Sequence, residues 1–552
     1  MHIQKALEAL KRKDFAAARD LMAREKIAAF TLQHFLIKGL AELALEDWKA
    51  AQETFAAATA RFPDHALFWL NRGIAEENLG QIDNSIASQE HCLALNPAQA
   101  EAYGNLSNLY RKKHRFAEAE EMARRALAKG AAKSDALNCL GLALGKQGKF
   151  AEADAAFRQA QRETPDSPAT FINRANLAVD QLHFDEAWKL FAAGRAIKDE
   201  AIFRHDEGLA RLLSGDYERG FKLFESRLEM PRALRLHPTC PRWNGESLKG
   251  KKLLILAEQG FGDVIQFCRY QKFLPDGELI WAVPKNLVRL LSDALRGTVL
   301  DEKTALPACD YFVPILSLPL LTSPLPLAGR VREGGVPLDL HPQSANDLAA
   351  VAAHNTQTSP LLIAPLPNPP REGEGIYLSA PATPKLPQGK CTLKIGLVWA
   401  GSRTHERDSE RSLRLEQFAP MLNRVEADFY APVIGEALDE IELSPTPYPR
   451  PRGAGESGGI IRLDNLITDF ADTAALLKQM DCLITVDTST AHLAAALGVK
   501  TFLLLPYCPD WRWGVVGETT VWYPSMTLLR QPKYGDWESV IETLTALLKR
   551  RL

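Results

Sequence analysis

Through the first 230 residues the apolar positions fall into paired helical stripes, and the stripes themselves recur. Phe55, Ala58 and Pro63 return in kind 102 residues later as Phe157, Ala160 and Pro165, and 102 is three times 34. The intermediate steps are present too: Gly39 aligns with Gly73 and Gly141, Ala51 with Ala153, and Pro63 with Pro97. A fixed period of this length marks stacked supersecondary units, each burying its apolar face against the next. Small residues at Gly39, Gly73 and Gly141, and at Ala51, Ala119, Ala153 and Ala187, let two helices cross closely. Pro63, Pro97 and Pro165 follow the second helix, where a ring that cannot continue it does no harm. Trp69, Tyr103, Phe157, Phe171 and Phe191 are the knobs expected to fill the stacked core. About six such helix–turn–helix units are predicted between residues 1 and 228, the first and last degenerate.

The pattern then changes period. After a turn- and proline-rich hinge at 236–250, the run LLILA at 253–257 is continuously apolar, as a buried parallel strand should be. It enters a glycine turn, Glu258-Gln259-Gly260-Phe261-Gly262-Asp263, followed by a helix. KIGLVWAGS at 394–402 is a second strand running into Gly401-Ser402. DCLITV at 481–486 is a third, capped by Asp487-Thr488-Ser489-Thr490, with a helix closed by Gly498 and a further strand, KTFLLLP. Repeated strand–loop–helix units predict doubly wound parallel sheets with ligands at the carboxyl ends of the strands. The expected fold is therefore an all-α superhelix followed by two Rossmann-like α/β domains facing a cleft.

Two phosphate motifs fail on spacing. Gly141-Leu-Ala-Leu-Gly145-Lys146 has three residues between its glycines where a P-loop needs four, and it lies in a repeat helix. Gly260-Phe-Gly262 lacks the third glycine of the dinucleotide fingerprint, which disfavours a nicotinamide or flavin enzyme.

Composition narrows the picture further. The 552 residues carry 66 Lys plus Arg against 68 Asp plus Glu, a net charge of −2, which argues against a nucleic-acid binder. No window approaches the ~18 apolar residues of a membrane span, and MHIQKALEALKRKDF has no secretory h-region, so a cytoplasmic protein is expected. The eight cysteines show no CxxC pair or zinc spacing and read as reduced, mostly buried thiols.

The 34-residue period and its Gly, Ala and Pro positions resemble the tetratricopeptide repeat. The strings LLILAEQGFGDVIQFCRY, GLVWAGS with RSLRLEQFAPML, ITDFADTAALLKQMDCLITVDTSTAHLAAALG and LLLPYCPDWRW resemble the C-terminal half of bacterial tetratricopeptide glycosyltransferases. Those are similar to glycosyltransferase family nine, the heptosyltransferases, and share a GT-B layout with protein O-GlcNAc transferase. The resemblance implies an inverting, metal-independent transferase with no cofactor beyond a nucleotide-sugar donor.

It also implies roles for particular residues. Asp263 matches the family's proposed general base, which takes the proton of the acceptor hydroxyl; it could equally cap the helix expected to start at Val264, and one residue can do both. Asp487 and His492 match the family's Asp and His around the donor diphosphate. Free N–H groups at a helix start, with the hydroxyls of Thr488, Ser489 and Thr490, suit a diphosphate. His492 could donate to a phosphate oxygen or pack in the core; Asp487 is assigned to capping or to orienting His492. Gly260, Gly262, Ser402 and Arg403 complete the implied donor site, and Arg403 or Arg411 could stabilise the leaving diphosphate. His405 is a weaker candidate. Trp511 and Trp513 read as packing.

Two features depart from the family. Pro-, Gly- and Arg-rich stretches at 321–376 and 444–459 read as inserted, disordered loops. Pro432-Val433 replaces the family's Leu-Gln strand end. The expected domains are a repeat array at 1–232, a first Rossmann-like domain at 233–390 and a nucleotide-sugar domain at 391–552. A protein or peptide acceptor in the repeat groove is the expected partner. The competing reading is a non-catalytic repeat scaffold with a degenerate transferase domain.

Overall fold

The computed structural model describes residues 2–24, 30–230, 234–322, 376–403, 405–443 and 460–551. The expected insertions lie almost wholly outside these residues. The chain divides into two compact units, residues 1–177 and 178–552.

The repeats form as helical hairpins. The pairs are α1 (His2–Lys11) with α2 (Phe15–Ala23), α3 (Leu32–Ala44) with α4 (Trp48–Arg61), and α5 (Ala66–Asn78) with α6 (Ile82–Leu95). They continue with α7 (Ala100–Lys112) and α8 (Phe116–Ala128), α9 (Lys133–Gly145) and α10 (Phe150–Glu163), and α13 (Ala201–Leu213) and α14 (Tyr217–Phe224), while α11 (Pro168–Asp180) and α12 (Phe184–Ile197) stand between the last two pairs in the chain. Among the described residues six helix pairs form such hairpins, matching the about six units expected, and the short α1 and α2 of the degenerate first unit make a complete pair. The glycine reasoning holds at atomic detail. A Cβ on Gly141 would lie 2.5 Å from the Phe157 ring, and one on Gly39 would strike Phe55. At Gly73 the crossing residue is instead Gln89, fully buried with its amide donating to the Leu70 carbonyl at 3.0 Å. Gly141 and Gly145 lie inside α9, so the P-loop-like string is a repeat helix.

The last repeat helices belong to the second unit. Leu212, Phe221 and Phe224 share one apolar core with Trp243, Phe267 and Trp511. Arg227, just after α14, makes a bidentate pair with Glu258 in the first strand–helix turn, at 2.9 and 3.0 Å, with both residues about 5% exposed or less.

Two all-parallel sheets follow. The first contains β1 (Lys252–Leu256), β2 (Glu278–Val283), β3 (Thr298–Asp301) and β4 (Tyr311–Pro314), in the order β3-β2-β1-β4. The second contains β5 (Lys394–Val398), β6 (Asp428–Ala431), β7 (Ile461–Arg462), β8 (Cys482–Val486), β9 (Thr501–Leu505) and β10 (Met526–Arg530), in the order β10-β9-β8-β5-β6-β7. That is the doubly wound Rossmann order, reversing between β5 and β8. Both faces are buried, which is why the strands read as continuous apolar runs. Ile395, Leu397 and Trp399 point into one core with Ile484 and Phe502, while Val398, Leu483 and Leu503 point into the other. Strand β5 pairs with β8 in the register Leu397 to Ile484. No helix among the described residues is long and apolar enough to cross a membrane.

Candidate functional site

Parallel sheets leave ligand space outside the carboxyl ends of strands flanking a switch in strand order. In the second sheet those ends are Trp399 to Arg403 after β5 and Asp487 to Thr490 after β8; in the first sheet, Glu258 to Asp263 follow β1. One cavity of about 1310 Å³ takes in all three loops. Gly260, Gly262 and Asp263 line it from the first sheet, Ser402 and Arg403 from β5, and Asp487, Thr488, Ser489, Thr490 and His492 from β8. Every residue expected for the site is therefore on one cleft. Pro432, Val433 and the 63% exposed Ile434 form part of the same wall.

The first turn builds around Asp263. The helix runs Phe261–Phe267 with Gly260 as N-cap, so Asp263 is its third residue and not the cap expected before Val264. Its carboxylate nonetheless serves the helix start, accepting the Gly260 N–H at 2.8 Å. The other oxygen accepts from Arg512. Burial raises the Asp263 pKa, opposed by the Arg512 charge and the Gly260 N–H.

Arg512 is the hub of the cleft floor. It donates to Gln266 Oε1 at 2.7 Å and to Asp510 at 2.8 Å as well as to Asp263. Burial alone would raise Asp510, but the adjacent guanidinium holds it low. Sequence reasoning missed this hub. The PDWRW string was read for its tryptophans, which do pack in the core at 4% and 2% exposure, whereas Asp510 and Arg512 carry the polarity. The signal available was a lone glutamine, Gln266, inside the apolar run Val264–Cys268, which needs a partner once that run is buried.

The second helix, Ser489–Ala496, has Thr488 in its N-cap position. Asp487 thus stands outside the cap position. Its backbone carbonyl accepts from Arg411 at 2.7 Å, and burial together with the Asp510 charge pushes its carboxyl up to about 6. The partner of His492 is Tyr523, with Nδ1 and the phenol oxygen 2.9 Å apart, so the orienting role given to Asp487 falls to Tyr523. The ring stacks on Trp513 with centroids 5.1 Å apart. Burial, then the charges of Arg512, Arg269 and Arg411, press the His492 pKa down to about 3, leaving the imidazole neutral. Gly262 makes room for it: a Cβ there would lie 2.8 Å from His492 Cδ2.

The loop after β5 divides its arginines. Arg403 is on the rim, two-thirds exposed and paired with Glu436 at 2.9 Å. Arg411 is inside, beneath Gly401 and against the buried Asp408. His405 Nδ1 accepts the Arg407 backbone N–H at 3.2 Å, and burial lowers its pKa. Among the described residues no group of three or more His, Cys, Asp and Glu side chains is arranged to hold a metal ion. Among the described residues none of the eight cysteines is in a disulfide; four are buried and four half-buried.

Comparison with known proteins bears on the repeats. Residues 38–102 and 105–168 match the tetratricopeptide repeat family. The chain is 24% identical to Protein FlbA of Caulobacter vibrioides over 571 residues, covering 99% of this chain and 89% of that protein. Among solved structures, a tetratricopeptide repeat protein from Parabacteroides merdae is 17% identical and covers 42% of this chain and 91% of its own, with a TM-score of 0.37. YrrB, described as a TPR protein with an unusual peptide-binding site, is 20% identical over 32% of this chain and 93% of its own, with a TM-score of 0.25. The N-terminal helical region is thus an array of tetratricopeptide repeats, joined to a region of parallel sheets.

Proposed function

We propose that the chain is an inverting glycosyltransferase of GT-B layout, which moves a sugar from a nucleotide-sugar to an acceptor hydroxyl without a metal. The observation that carries this reading is the convergence of Asp263 and the Ser489–Ala496 helix start on one cleft at the carboxyl ends of two parallel sheets. The donor diphosphate lies on the N–H groups and hydroxyls of Thr488, Ser489 and Thr490, with the helix dipole opposing its charge. Arg411 supports the leaving group from the β5 side. Asp263 takes the acceptor proton as the acceptor oxygen attacks the anomeric carbon and the nucleotide diphosphate departs. For this Asp263 must let go of Arg512, which keeps Asp510 as a second partner. A protein acceptor bound by the repeats suits an array of this kind.

The second reading, a non-catalytic repeat scaffold, draws on the occupancy of Asp263. Both its oxygens are engaged, one by a guanidinium and one by a backbone N–H. The guanidinium favours the charged carboxylate and so opposes proton transfer to it.

Calorimetry against a panel of UDP-, GDP-, ADP- and CMP-sugars, with nucleotide release as a second readout, separates the two. Binding of one donor, weakened by His492→Ala, is the expected result. A folded chain that binds none of them favours the scaffold reading.

A further inference from the structure

The chemistry of His492 depends on which ring nitrogen carries its proton, and a count of the protons on the groups behind the ring bears on that. Arg269 Nη2 donates to the Tyr377 phenol oxygen at 3.1 Å. The Tyr377 O–H donates to the Ile265 carbonyl at 2.9 Å, and a carbonyl can only accept, so the Tyr377 proton is committed. The Tyr523 oxygen lies 3.3 Å from that of Tyr377. This contact is a hydrogen bond only when Tyr523 is the donor. Tyr523 has one proton, and it sits 2.9 Å from His492 Nδ1 on its other side. With the Tyr523 proton given to Tyr377, Nδ1 must carry its own.

The opposite tautomer leaves two buried phenol oxygens facing each other with no proton between them. Tyr523 is fully buried and His492 is 5% exposed, so water offers little relief. The Arg269 guanidinium lies over both phenol rings, 4.5 Å from the Tyr377 centroid and 4.6 Å from that of Tyr523. A cation there makes both phenols better donors. The Cδ2–Nε2 edge of the ring faces Gly262, and both residues line the cleft.

We propose that the chain His492–Tyr523–Tyr377–Ile265 holds His492 as the Nδ1–H tautomer, so that Nε2 meets the cleft as a hydrogen-bond acceptor. The ligand group it takes is then a hydroxyl or N–H, such as a sugar hydroxyl, and not a proton-free phosphate oxygen. Tyr523 and Tyr377 are positioning residues acting through His492. The choice of a sugar hydroxyl rests on the transferase reading; the tautomer does not. Burial and nearby guanidinium charge keep the ring neutral, so one nitrogen remains an acceptor at neutral pH.

The test is nitrogen NMR on the full chain with ring-labelled histidine, the His492 signals being assigned by their loss in His492→Gln. Nδ1 is expected to carry the directly bonded proton and Nε2 to resonate as unprotonated. Tyr377→Phe removes the acceptor of the Tyr523 proton, which turns to Nδ1 and moves the ring to Nε2–H, although His492 and Tyr523 are untouched. A wild-type ring found as Nε2–H overturns the proposal, as does a Tyr377→Phe chain that keeps Nδ1–H. Should Tyr377→Phe not fold, the wild-type spectrum alone decides. No donor is needed, so a chain that binds no nucleotide-sugar leaves this result standing.

Discussion

Gly260 and Gly262 are two residues apart in one turn, yet their substitution should have very unequal consequences. A Cβ on Gly262 would lie 2.8 Å from His492 Cδ2 and 3.4 Å from Nε2, against an ordinary carbon contact of about 3.5–4.0 Å. The imidazole must therefore retreat by roughly 1 Å. It is held from doing so by the Trp513 stack and by the 2.9 Å bond to Tyr523. Crowding of this kind costs about 1–3 kcal/mol, and the displaced hydrogen bond about 0.5–1.5 kcal/mol more. Gly262→Ala is expected to destabilise the second unit by about 1.5–4.5 kcal/mol. Gly260→Ser is the control. A Cβ there meets only Asp263 Oδ2, at 3.4 Å, and the position is an N-cap with extended φ of −96° and ψ of 171°, where serine serves as well as glycine. Its effect should stay within about 0.5 kcal/mol. Urea unfolding of both full-length variants, followed by tryptophan fluorescence and near-ultraviolet circular dichroism, reads the difference. Equal midpoints for the two would refute the packing of His492 against Gly262.

Other expectations concern charge and core. The His492 pKa falls from an ordinary 6.5 to about 3 in the folded chain, so below pH 6.5 the unfolded chain takes up a proton that the folded one refuses. Stability carried by this residue is whole above pH 6.5 and is lost as pH falls toward 3. Between pH 7 and 5, wild type should lose about 2 kcal/mol relative to His492→Gln, read as urea midpoints at the two pH values. Asp487, raised to about 6, works in the opposite direction over the same range, which is why the comparison with the variant is needed. On the transferase reading proposed above, Asp263→Asn should lower nucleotide release in the presence of acceptor by about 10²–10⁴-fold with the fold intact; an unchanged rate removes Asp263 as base. Arg227→Met strands the buried Glu258 carboxylate and should cost about 3–5 kcal/mol in the second unit, measured by denaturant titration. In the first unit Phe157→Ala empties the space beneath Gly141 at a cost of about 3–5 kcal/mol, again read from unfolding.

The sequence by itself determined the elements and the loops that carry chemistry. A 34-residue period is a local property, repeated until chance is excluded, and the Gly39–Phe55 and Gly141–Phe157 crossings follow from it. Continuous apolar strands running into Gly260, Gly401 and Asp487 are legible for the same reason, since a parallel strand buried on both faces admits few other residues. Partnership was decided only in three dimensions. Arg512 lies 249 residues from Asp263, and Tyr377 lies 115 positions before His492 in a segment with no periodic signal. Which group a buried charge or hydroxyl pairs with depends on the packing that excludes water around it, and that packing draws on chain segments far apart. Hence Asp263 could be found from its turn, but its guanidinium partner could not. His492 could be found from its helix start, while the tyrosines that orient its ring belong to the tertiary structure alone.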